Sequence, residues 1–136
     1  MAPPVPPTNP EAIAIQDVDP QGSYVLVSQA ANLTRGNMFL NDGTSLLHIY
    51  NGAVGGDSEI TIWAVPDEAA RTGTSAASVA LPNASIGYQV DMPNGQVRIF
   101  GPFRQAWWNQ TSGNVGYVYV SVDAPAVGVR LAIINY

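Results

Sequence analysis

From Gly95 to its end the chain alternates apolar and polar side chains with a period of two, the pattern of strands that cover a core with one face. Between Val115 and Val122, the side chains of Val118, Val120 and Val122 point one way, and those of Val115, Tyr117, Tyr119 and Ser121 point the other. Between Val127 and Ile134, the same period sets Val127, Val129, Leu131 and Ile133 against Gly128, Arg130, Ala132 and Ile134. Both segments are predicted to be antiparallel strands with one face committed to a core. The second face is unusually apolar, which points to contact with something other than water.

Upstream, strand signals recur about every ten residues, the spacing of a sandwich or barrel. Strands are predicted over Tyr24–Gln29, Met38–Asn41, Leu46–Asn51, Glu59–Val65, Ser78–Leu81, Ile86–Asp91 and Gln96–Phe100, ahead of the two above. Asn41-Asp42-Gly43, Gly55-Gly56-Asp57 and Pro93-Asn94-Gly95 supply the turns, and Asn94-Gly95, between Val90 and Val97, predicts a hairpin. Pro66 to Ala77 resists the pattern. There a helical turn over Asp67–Arg71 gives way to small residues, as expected of a long connection between sheets. The expected class is all-β, a two-sheet antiparallel sandwich of jelly-roll or immunoglobulin-like type spanning residues 21–136 as one domain.

Residues 1–20 read differently. Five of the first ten are proline, which removes backbone donors and favours polyproline geometry, so this arm suits neither a helix nor a central strand. It is either a tail or an extended arm that docks on a neighbouring subunit through Pro3, Pro4, Val5, Pro6 and Pro7, its stiffness lowering the entropy lost on docking. The stretch has neither the basic nor the apolar region of a signal peptide.

Charge and composition narrow the function. The chain has 136 residues, no cysteine and no lysine, and a formal net charge of −5, with arginine at 35, 71, 98, 104 and 130 as its only strong bases. This balance argues against binding to nucleic acid, and no apolar run is long enough for a membrane helix. Groups that attack or titrate are scarce. His48 lies on the face of Leu46 and Tyr50 and reads as a packed or interface histidine. Gly56-Asp57-Ser58 lacks the helix that follows an esterase nucleophile, and Asn83-Ala84-Ser85-Ile86-Gly87 lacks the first glycine of a nucleophile elbow. Asp17 with Asp19, Asp57 with Glu59, and Asp67 with Glu68 do not have the spacing of a calcium loop. Asn32, Asn83 and Asn109 each begin a glycosylation-type triplet, read here as coincidence. No enzyme, catalytic residue, cofactor or metal is expected.

Aromatic residues carry the sharper signal. Trp63, Tyr117 and Tyr119 occupy the outward register, and Trp107 and Trp108 follow Phe100-Gly101-Pro102-Phe103. Such residues suit a subunit interface, a platform for sugar stacking, or covers over the ends of a sandwich. The two phenylalanines, set around a Gly-Pro corner, are expected to fold back as core plugs, with Trp108 facing a partner.

Between Asn37 and Tyr136, the order of an NDGT turn, the LLHIYN strand, EITI, VRIFGPF, a WNQ turn and a final strand pair resembles small head-decoration (cement) proteins of tailed bacteriophages. The resemblance implies a β-sandwich, commonly trimeric, that is made in the host cytoplasm and sits on the exterior of the virion, binding the major capsid protein across capsomer junctions. A carbohydrate-binding module using Trp63, Trp107 or Trp108 is the alternative reading.

Overall fold

The computed structural model describes residues 7–17, 25–52, 56–64, 85–111, 113–123 and 128–135. Pro3, Pro4, Val5 and Pro6, the strand expected over Ser78–Leu81 and the turn expected over Asp67–Arg71 lie outside them.

Among the described residues, ten strands form two sheets facing each other: β1 (Glu11–Ala12), β2 (Ile15–Asp17), β3 (Gln29–Ala30), β4 (Asn37–Leu40), β5 (Leu46–Asn51), β6 (Ser58–Ala64), β7 (Ser85–Met92), β8 (Val97–Phe100), β9 (Tyr117–Asp123) and β10 (Val129–Asn135). One sheet has the order β1-β4-β9-β6-β7. The other has the order β2-β10-β5-β8, with β3 also paired to β10. The two-sheet sandwich is thus as expected, with mixed sheets: pairing is antiparallel except at the edges, where β1 runs parallel to β4 and β2 parallel to β10.

The alternation read in the sequence sets the core. Val118, Val120 and Val122 of β9 meet Val129, Leu131 and Ile133 of β10 between the sheets, with Phe39, Leu47, Ile49, Ile60, Ile62 and Met92 around them. Burying an aliphatic side chain of this kind contributes about 1.5–3 kcal/mol, so these positions dominate the stability of the sandwich.

Three details depart from expectation. Pro93-Asn94-Gly95 does form a tight turn, with Gln96 N–H donating to Pro93 C=O at 3.1 Å and Gly95 at φ 85°. It does not close a hairpin, because β7 pairs with β6 in one sheet and β8 with β5 in the other. Turn chemistry dictates that the chain reverses, not which edge each strand then joins. Buried Asn51 fixes this corner: its Nδ2 donates to Met92 C=O at 2.7 Å, and its backbone N–H donates to Gln96 C=O at 2.9 Å.

The second departure is that residues 11–17, expected as part of the arm, belong to the sheets. This short segment pairs with one sheet through β1 and the other through β2, and Ile13 between them is buried in the core. It closes one side seam of the sandwich. Both strands lie at sheet edges, where few ladder bonds are required, as a proline-flanked segment demands. Third, of the described part of the strand expected over Tyr24–Gln29 only Gln29 joins a ladder, together with Ala30 beyond it, because β2 already occupies the same edge of β10 at Ile133–Asn135. Side-chain amides replace the missing ladder: Gln16 exchanges two hydrogen bonds with the backbone of Val27, and Gln29 exchanges two with Ala14 and Ala12.

Candidate functional site

The segment from Phe100 to Gln110 is pinned to the sandwich by one buried side chain, Asn41, at the end of β4. Its Nδ2 donates to Phe103 C=O at 2.9 Å and to Asn109 Oδ1 at 2.7 Å, and its Oδ1 accepts from Gly43 N–H at 3.1 Å. Asn109 Nδ2 donates back to Asn41 C=O at 3.0 Å. Thus a single asparagine joins three parts of the chain, and its partner Asn109 is one of the glycosylation-type asparagines, already committed within the fold. Gly101 makes the bend. At φ 111° it lies so close to Ser45 C=O and the Phe103 ring that a Cβ there would meet them at 2.9 and 3.0 Å.

Beyond the corner, Phe103 is buried as expected, its ring centroid 5.5 Å from that of Phe39 and 5.3 Å from that of Trp108. Phe100 packs half-buried against the same core. A short helix, α1 (Gln105–Trp108), follows. Trp108, expected to face a partner, turns inward instead. It packs against the core, and its ring lies over Gly87, where an added Cβ would meet it at 2.6 Å. The bare backbone of Gly87 is what allows this approach.

The other residues expected at an interface separate into two groups. Trp63 and Tyr119 are only 2% and 7% exposed. With Met38 and Tyr117 they form a compact aromatic cluster on the outer face of the β4-β9-β6 sheet, aligned by the pairings Trp63–Tyr119 and Tyr119–Met38. Trp63 Nε1 donates to Ser121 Oγ at 2.9 Å, and Asn114 Nδ2 donates to the Tyr119 hydroxyl at 3.0 Å. The period-two reading placed these rings on the correct face. It missed that neighbouring rings and the loop at Asn114 bury them there, so they are not the exposed patch that was expected. Tyr117 is half-buried. Trp107, at 40% exposure, is the tryptophan of this group that faces solvent, with the Arg104 guanidinium stacked 4.5 Å from its ring centroid. Pro7 packs over Gly36, and Arg35 Nε donates to Asn9 C=O at 2.8 Å, so the described start of the arm rests on its own chain.

An exposed apolar patch lies instead on the outer face of the β10-β5-β8 sheet. Pairing aligns Ala132, His48 and Ile99 in one row, Arg130, Tyr50 and Val97 in a second, and Ile134 with Leu46 in a third. Tyr50, Val97 and Ile99 are 40%, 51% and 58% exposed, and these rows contain no carboxylate. Arg130 is turned toward Ser28, to whose hydroxyl and C=O it donates. His48 is half-buried, and its enclosed Nδ1 has no hydrogen-bond partner. The sequence signal for this face was the apolar second face of β10. What could not be read was the partner of β8, which completes it.

The opposite outer face is acidic: Asp91, Glu59 and Asp123 stand side by side across β7, β6 and β9. No group of three potential metal ligands is positioned to hold an ion among the described residues. Asp42, at the turn before β5, has its carboxyl lowered below the ordinary 3.8, first by the hydrogen bond from the Thr44 hydroxyl and then by that from the Thr44 N–H. A lowered carboxyl stabilises the fold above the usual aspartate range and loses that contribution as pH falls through its folded value.

A second surface feature is a cleft of about 230 Å³ at the seam between β7 and β8, lined by Gly87, Tyr88, Phe100, Pro102, Phe103 and Trp108. Tyr88 and Phe100 meet edge to face at 5.6 Å across it. No family model, no curated protein and no solved structure matches the chain.

Proposed function

We propose that the chain is a non-enzymatic virion structural protein that binds the outer surface of a tailed-bacteriophage capsid as a homo-oligomer, a trimer, and stabilises capsomer junctions. The observation that carries this reading is the carboxylate-free apolar face of β10, β5 and β8 on an otherwise acidic chain. Like-charged copies repel wherever their carboxylates approach. A face without carboxylates, with the acidic row of Asp91, Glu59 and Asp123 on the opposite sheet, lets copies or a capsid surface meet without that cost. The resemblance of Asn37 to Tyr136 to head-decoration proteins supplies the partner, the major capsid protein.

A sugar-binding module receives less support. Stacking on a sugar requires an open aromatic face, whereas Trp63 is buried, Trp108 lies against Gly87, and Arg104 occupies one face of Trp107. The two readings separate in solution. Sedimentation equilibrium at micromolar concentration should give the mass of three chains, with a buried interface above roughly 1,200 Å² in total. A mass of one chain together with retardation on a polysaccharide gel would favour the sugar-binding module.

A further inference from the structure

We infer that the aromatic cleft between β7 and β8 is the receptor for the proline-rich N-terminal arm of a second copy of this chain. The inference rests on the oligomeric reading above and names the contact that links the copies. The sandwich has two side seams. The chain's own residues 11–17 close one by pairing with both sheets. At the other, β7 and β8 are the last strands of their sheets among the described residues, and the space between them is the aromatic cleft.

The chemistry of the cleft matches the arm. Polyproline segments dock in grooves walled by aromatic rings because their stiff, extended backbone loses little entropy on binding. They offer carbonyl acceptors and few N–H donors, so a receptor must donate. Tyr88 and Trp108, both on the cleft wall, carry such donors in a hydroxyl and an indole N–H. The stretch Ala2-Pro3-Pro4-Val5-Pro6-Pro7 is the proline-densest of the sequence.

Reach favours a second copy over the same chain. Pro7 is held beside Gly36, at the β4 end of its sheet. From β1 to β7 there are four strand spacings of about 4.8 Å, or roughly 19 Å in all. Pro3 is four residues from Pro7, at most about 14 Å of fully extended chain, so Pro3 to Pro6 of the same chain fall short of the cleft. Phe100 of the cleft wall follows Ile99 of the apolar face along β8, so a copy seated on that face is close to the cleft.

Because the chain is free of cysteine, the contact can be trapped in the full-length protein. Val5→Cys combined with Tyr88→Cys, mildly oxidised, should give disulfide-linked dimers and larger species that reductant dissolves, at least fivefold more than Val5→Cys combined with Asp57→Cys, at an exposed position outside the cleft lining. A second pair, Val5→Cys with Pro102→Cys, places the acceptor on the loop wall rather than the strand, so a folding defect at one position does not decide the result. A disulfide formed within a single chain, or linkage no greater than in the control, would overturn the inference. A trimer lacking this linkage would overturn the arm contact alone. Linked copies that fail to bind capsids would overturn the decoration reading and leave the arm contact standing.

Discussion

Phe103→Ala should lower the melting temperature by on the order of 10 °C or more while leaving secondary structure at low temperature intact. The ring is buried between Phe39 and Trp108, and the surrounding strands are too constrained to collapse into the space it would leave. Truncation of a buried phenylalanine costs about 3–5 kcal/mol, a large share of the stability of a domain this size. At a few degrees per kcal/mol, that loss is plain in a circular-dichroism melt. Trp107→Ala is the comparison. Its ring is exposed and touches Arg104, so its removal should shift melting by no more than a few degrees. If Trp107→Ala melted early and Phe103→Ala did not, the assignment of core and surface around this loop would be reversed.

The second large effect is expected at Asn41. Asn41→Ala strips Phe103 C=O and Asn109 Oδ1 of a donor and Gly43 N–H of an acceptor. Each buried group left unpaired costs about 1–3 kcal/mol, and since the three share one side chain the combined loss should be about 2–4 kcal/mol. Urea unfolding should show a lower midpoint with an unchanged slope. Asn41→Asp separates hydrogen bonding from volume. Aspartate keeps the acceptor for Gly43 but has no N–H to donate, so it should fail to rescue. A midpoint near that of the parent for Asn41→Asp would show that Nδ2 is not what holds the loop.

The period-two pattern was sufficient for β5, β9 and β10. In each, one set of alternating residues is buried in the core, because a one-residue slip would move the whole set into solvent. Pairing was harder to read. Asn94-Gly95 specifies a reversal but not that β7 and β8 join different sheets, a choice made by long-range contacts such as Asn51 with Met92. Glu11 to Asp17 lacks a strong strand pattern because its pairing is two short parallel edges held around one core residue, Ile13. For the candidate surfaces, the sequence identified the aromatic residues but not their surroundings. Trp63 and Tyr119 are covered by each other, by Met38 and by Tyr117, and only the two-sheet geometry brings Tyr88 beside Phe100 to make a cleft.

Attachment to a capsid is the central claim, and co-sedimentation of the purified protein with capsids assembled without it tests that claim most directly. The account predicts saturable binding at a fixed ratio to the major capsid protein, weakened when Val97 and Ile99 on the apolar face are changed to aspartate. Protein remaining wholly in the supernatant at micromolar concentration, with the capsids intact and the chain folded, would contradict it.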